Sequence, residues 1–246
     1  PPQTPWREAC RRRSTTRIIN FVEASPNSRV ARARLNSVSR RAKLRPWVGG
    51  PRVSIVDEIY EALTDDEVFA ALPARLARLV DARSCMLQAF APDGELLFAV
   101  ENGYFPGDGL AFYAENEMYR HDPWREQVER RNLWNRAFSS GTLIHPEAYK
   151  RSILYNEGLR RFGDDTAHWL ASGMTHSAGR DEMGIHRGMT AETFSEAEVA
   201  VIQPVIPHLR RLLTVRARLH EAGLRQMTAE RVLDALPQAV LVVDVS

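Results

Sequence analysis

The sequence predicts an α+β fold in which an antiparallel sheet is flanked by helices and followed by a long C-terminal helix. Three observations carry this prediction. Two pairs of apolar runs are each joined by turn-forming residues, apolar residues recur at helical spacing around those pairs, and a serine capping box opens a long 3-4-spaced apolar stripe near the end. The chain has 246 residues, 44% of them hydrophobic and 26% charged, enough apolar material for one core and the start of a second. No apolar run reaches the roughly eighteen residues of a spanning helix, and the start carries arginines without an apolar stretch. The expected compartment is therefore the cytoplasm, with no membrane partner. Two cysteines, Cys10 and Cys85, with no CxxC, argue against a disulfide framework or a cysteine zinc site.

Residues 1–52 hold 13 lysines and arginines against two acids, a balance of +11 within a total of +2. The remainder therefore stands at −9. Arg11-Arg12-Arg13 and the Ser/Arg/Asn-rich stretch from Ser25 to Arg41 lack a hydrophobic period, so residues 1–52 read as a basic, disordered arm. Such an arm could instead hold a nucleic-acid backbone by Coulomb attraction. The folded pattern begins abruptly at Val53, a valine that could be read as an initiator, with the arm as upstream sequence.

From there the elements follow in order. Ile55, Val56, Ile59, Tyr60 and Leu63 lie on one face of a short amphipathic helix. Thr64 and Glu67 form a capping-box pattern for a second helix carrying Phe69, Leu72, Leu76 and Leu79, which Pro73 should kink or restart. Ser84 to Phe90 and Leu96 to Val100, joined through Pro92-Asp93-Gly94, are a β-hairpin. Both faces of these strands are apolar, so the sheet is expected to be covered on both sides. Residues 107–138 look helical and aromatic-rich, with Asp122-Pro123 starting a new helix. A helix from Pro146 to Phe162 ends at Gly163, and Thr166 to Ser177 with Glu182 to His186 form a second hairpin turning at Ala178 to Asp181.

Ser195 and Glu198 cap the long helix, whose Val199, Ile202, Ile206, Leu209 and Leu213 resemble a coiled-coil seam; Pro204 and Pro207 should bend it or separate its first turns. A homodimer pairing through residues 195–220 is the expected partner arrangement. Ala229 to Leu236 is a further helical segment, and Pro237 to Asp244 is a strand with no partner after it. The domain reading is thus arm 1–52, an α+β domain at 53–194, helical linker and dimerisation helices 195–236, and the start of a truncated second domain at 237–246.

Several segments in order resemble the N-terminal sensory regions of bacterial LuxR-type helix-turn-helix regulators, whose fold is similar to GAF and PAS domains. They are Ile59 to Leu63 with Phe69 onward, His121-Asp122-Pro123-Trp124, Ser152 to Glu157, Gly184 to Arg187, and Phe194-Ser195 through Pro207 to Arg211. The residues from Val232 to Asp244 look like the entry into a PAS-like domain. The resemblance implies a GAF/PAS-like sheet, ligand sensing and dimerisation, with DNA contacted only through a helix-turn-helix module that this sequence lacks.

Catalytic chemistry finds no motif: there is no GxSxG elbow, no GxGxxG and no Walker sequence, and Asp164-Asp165 suits a loop better than an acid/base pair. No catalytic residue, cofactor or metal site is assigned, and a small enzyme stands only as an alternative. His168 and His176 share one strand face by even spacing, but whether His186 joins them depends on one residue of turn register, and zinc needs three or four converging ligands. A small-molecule pocket needs an apolar lining with a few orienting polar groups. Tyr119, Trp124, Trp134, Tyr155 and Trp169 could supply the lining, with His121, Asn156 and His168 as polar groups; alternatively these aromatics simply fill the core. Cys85, in a strand interior, offers no attachment point for a chromophore.

Overall fold

The computed structural model describes residues 54–105, 107–176 and 179–234, together with the strand at 17–20; of residues 17–20, 224 and 227–234 only the backbone is described. Six strands form one antiparallel sheet in the order β1-β3-β2-β6-β5-β4. They are β1 (Arg17–Asn20), β2 (Ser84–Phe90), β3 (Leu96–Glu101), β4 (Phe138–Ser139), β5 (Thr166–His176) and β6 (Gly179–Gly188). The α+β class and the long C-terminal helix are as the sequence predicts. Within the segment read as a disordered arm, Arg17–Asn20 instead pairs with β3, Arg17 opposite Glu101 and Asn20 opposite Phe98. The rest of residues 1–52, the proposed start at Val53 and the terminal strand at 237–246 lie outside the described residues.

The sheet is covered on both faces. One face packs against α1 (Ile55–Glu61), α2 (Asp66–Leu79) and the long helix α7 (Ile206–Asp234), around Leu72, Leu76, Leu87, Leu170, Met174, Ile185, Ile206, Leu209 and Leu213, all essentially without exposure. Each such side chain contributes about 1.5–3 kcal/mol of burial. The other face packs against α3 (Gly107–Glu115), α4 (Pro123–Arg130), α5 (Pro146–Lys150) and the π-helical turn Leu154–Leu159, around Trp124, Val128, Tyr149, Leu154 and Ala171.

Local chemistry explains the element boundaries. Ser54 and Asp57 form a capping box at α1. For α2 the cap is Asp65, not Thr64: its carboxylate accepts from the amides of Glu67 at 2.8 Å and Val68 at 3.0 Å. The helix runs unbroken through Pro73 rather than restarting there. Only the bond to the Phe69 carbonyl is forfeited, and Phe69, Leu72 and Leu76 keep both halves on the sheet. Asp122 caps α4 with Pro123 in its first turn. The predicted helix 146–162 is instead α5, the π-helical turn and a 3-10 turn, ending at Gly163 with φ 76°.

The second hairpin is tighter than predicted, because β6 begins at Gly179, opposite His176, and only residues 177 and 178 lie between the strands. Ser195 and Glu198 close the expected capping box of α6 (Glu196–Ile202), and the prolines isolate it from α7 through a 3-10 turn at Gln203–Val205. The helix α7 continues to Asp234 without a separate segment at Ala229. Its stripe of Ile206, Leu209 and Leu213, with Ile202 of α6, is buried in this chain's own core, so the predicted pairing seam is spent on the sheet. Arg216 pins α7 to the end of α1 by donating to the Ala62 carbonyl at 2.9 and 2.6 Å and to that of Asp65 at 3.0 Å.

Candidate ligand-binding site

Strand alternation divides the sheet chemically. On β6, Asp181, Met183 and Ile185 are buried on the α7 side, whereas Glu182, Gly184 and His186 line a cavity beneath α3 and α4. Antiparallel register places these residues in three rows. Gln88, Glu182 and Gly173 form the first; Met86, Gly184 and Ala171 the second; Ser84, His186 and Trp169 the third. The two glycines make the floor passable for rings. A Cβ on Gly173 would stand 2.8 Å from the Trp134 ring, and one on Gly184 would stand 2.7 Å from His186 Nε2. Trp134 reaches its place because its loop is sewn to β5. The Asn135 amide donates to the Gly173 carbonyl at 2.8 Å, and its side chain accepts from the Thr175 amide at 3.2 Å. Asn132 and Asn135 adopt positive φ of 50° and 61°, a conformation that asparagine tolerates better than most residues.

The cavity and the open solvent at its mouth together take up about 920 Å³. Its walls are Leu110 and Tyr113 of α3, Trp124 and Val128 of α4, Leu154, Gly158 and Leu159 of the π-helical turn, and Phe105, Phe138 and Phe162. The π-helical turn matters here, since Leu154 and Met118 crowd the space above Gly158, where a Cβ would meet Leu154 at 3.3 Å. The result is a mainly apolar chamber with polar groups gathered at its two ends.

The first-row end is the more charged. Gln88 Nε2 donates to the Tyr113 hydroxyl at 3.2 Å, and Arg125 Nη2 donates to Glu182 Oε1 at 3.0 Å. Asp122 accepts from the Trp124 amide at 2.8 Å. Burial, with Glu182 second, pushes the Asp122 carboxyl up to about 7, which favours its protonated form. Burial also pushes the Tyr113 phenol far up. The Trp124 indole N–H has no hydrogen-bond partner among the described residues. A buried donor left without an acceptor costs free energy that an acceptor on a bound molecule would recover.

At the other end His186 Nδ1 lies 2.9 Å from Ser84 Oγ, with Trp169 edge-on to its ring at 4.7 Å. Burial, and then Arg83, push His186 down to about 3. Both residues are buried, His186 at the cavity floor, and the burial that lowers His186 disfavours its taking a proton. Arg83 pairs with Asp164 at 2.8 Å, binds Asp165 as well, and lies 4.5 Å from the centre of the Tyr104 ring.

Of the residues that the sequence offers for a pocket, Trp124, Trp134 and Trp169 line this cavity. Tyr119 packs on Phe90 at 5.4 Å and Tyr155 on Tyr149 at 5.3 Å, away from the lining. His121 is exposed at the end of a 3-10 turn, and Asn156 donates to the carbonyls of Lys150 and Ser152. Register also separates the histidines. Trp169 pairs with His186 on the cavity face, which puts His168 and His176 on the opposite one. No cluster of three metal-ligating side chains occurs among the described residues. The residues that sequence reasoning missed are Gln88, Tyr113, Asp122, Arg125, Glu182 and the two floor glycines.

No family model matches the chain, and no curated protein does. Among solved structures it is similar to the ligand-binding domain of VqsR from Pseudomonas aeruginosa, with TM-score 0.48, 16% identity, and coverage of 67% of this chain and 94% of that one. It is also similar to a GAF domain/HD domain protein from Geobacter sulfurreducens, with TM-score 0.42, 19% identity and coverage of 65% and 98%. A third is the N-acylhomoserine lactone dependent LuxR family transcription factor CepR2 from Burkholderia cenocepacia, with TM-score 0.46, 16% identity and coverage of 68% and 96%.

Proposed function

We propose that this chain is the ligand-sensing region of a LuxR-type transcriptional regulator and that the cavity between the sheet and α3, α4 and the π-helical turn holds a small, mainly apolar molecule with one polar end. The observation that carries the reading is the chamber itself: apolar walls, three tryptophans, and polar groups concentrated at Gln88, Tyr113, Asp122 and Trp124. The helix α7 packs on the opposite face of the same sheet. A ligand that fits one arrangement of the sheet better than another would therefore shift the position of α7 by its difference in affinity. Pairing of two copies would use the outward side of α7, where Leu219 is exposed, because its inward stripe is occupied. Light scattering across a concentration series tests that arrangement, and a strict monomer defeats it.

The cavity is tested with the uncharged fluorophore N-phenyl-1-naphthylamine, which brightens in apolar surroundings. The wild type should bind it saturably, and Ala171→Phe, which fills the middle row of the floor, should not. Equal fluorescence from both proteins would place the probe elsewhere and overturn the reading.

A further inference from the structure

Among the described residues that line the cavity, Arg125 is the one permanent cation, and it is set against three carboxyl groups, Asp122, Asp164 and Glu182. Asp164 is bound by Arg83 from outside the lining. The Arg125 charge is met by Glu182 at 3.0 Å, and both side chains are less than one-fifth exposed, at 16% and 19%. The same Glu182 oxygen lies 3.7 Å from Arg180 Nε, and the guanidiniums of Arg125 and Arg180 lie 5.5 and 4.8 Å from the centre of the Phe90 ring. One carboxylate thus stands between two half-buried cations at the edge of the chamber. Removing charge from this carboxylate would leave both guanidiniums uncompensated where solvent screens them poorly.

We propose that the Arg125–Glu182 pair sets the charge class of the ligand: the chamber takes an uncharged amphiphile and refuses an anionic one, such as the carboxylate of a medium-chain fatty acid. Glu182 does this by pairing with Arg125, the one permanent cation among the described lining residues, and by adding its own negative charge, so an incoming anion meets a cation already paired and a carboxylate that repels it. The inference rests on the reading of the cavity as the ligand site, and it names Glu182 as the residue that determines specificity.

The experiment displaces N-phenyl-1-naphthylamine with decanamide and with decanoate at neutral pH, two molecules that share a chain length and differ in headgroup charge. For the wild type, decanamide should displace the probe at a concentration about tenfold or more below that of decanoate. In Glu182→Gln the gap should close by roughly tenfold, and in the double variant Arg125→Gln/Glu182→Gln it should reopen in part, because the freed lining guanidinium is gone while Arg180, which does not line the cavity, remains. Equal displacement of the wild type by both molecules overturns the proposal without any variant, and so does an unchanged ratio in Glu182→Gln. Failure of the wild type to bind the probe at all removes the cavity reading itself, an outcome distinct from binding without charge selection.

Discussion

Replacing Asp181 with asparagine should remove that residue's share of a fall in stability that accompanies rising pH. Asp181 has no exposure, and its carboxylate oxygen lies 3.1 Å from His176 Nε2. Burial, followed by the neighbouring Glu182, pushes its carboxyl up to about 8. Burial, followed by Arg218 and Arg210 of α7, pushes His176 down. Both shifts favour the uncharged form, so the pair at neutral pH is a carboxylic acid beside a neutral imidazole. A carboxyl that binds its proton more tightly when folded makes the folded state lose ground as the pH climbs from its unfolded value towards its folded one. Each unit in that interval is worth about 1.4 kcal/mol, so between about pH 6 and about pH 8 Asp181 accounts for roughly 2 kcal/mol. Asp122, raised to about 7, acts in the same direction, while the histidines with lowered values act oppositely below about 6.5. The difference between variant and wild type removes both contributions. Urea unfolding across this range should show Asp181→Asn gaining roughly 2 kcal/mol relative to the wild type from the lower pH to the higher. A difference that stays constant with pH would refute the reasoning.

Three further outcomes follow from the packing. Gly173→Ala should cost about 1–3 kcal/mol and shift the intrinsic fluorescence, because the new methyl group displaces the Trp134 ring; urea unfolding and emission spectra check both. Leu209→Ala should cost about 2–5 kcal/mol by the same unfolding assay, since Leu209 is fully buried between α7 and the sheet. In a Cys10→Ser background, Cys85 should resist iodoacetamide in the native state and react in urea, because burial, with Glu101 second, pushes its thiol far above the ordinary range. Mass spectrometry of the labelled protein reads that result.

Much of the fold was legible because local chemistry specifies it. Pro92-Asp93-Gly94 forms a turn in which Asp93 accepts from the Glu95 amide and Gly94 takes φ 86°. Ser195-Glu198 and Asp122-Pro123 cap as their spacing requires. The failures occur where two local solutions compete or where packing decides. Thr64 and Asp65 are adjacent cap candidates, and the carboxylate takes the position. An apolar stripe reads the same whether it faces a partner helix or a sheet, so Ile206, Leu209 and Leu213 were open to either use. The three tryptophans of the cavity could be named from their type alone. Gln88, Arg125 and Glu182 could not, because they are brought together by pairings across some 37 to 94 residues of chain. One signal was present, the alternation of polar or small Glu182, Gly184 and His186 with apolar Met183 and Ile185.

That alternation on β6 also partitions the effects of mutation. If the cavity is the ligand site, neighbouring positions would answer to different selective demands: changes at Met183 or Ile185 would be felt as folding defects across the whole domain, whereas changes at Glu182 would be felt first as altered discrimination among ligands. A lineage exploring new signals could therefore vary one residue of this strand repeatedly while the residues on either side of it stay fixed by the core.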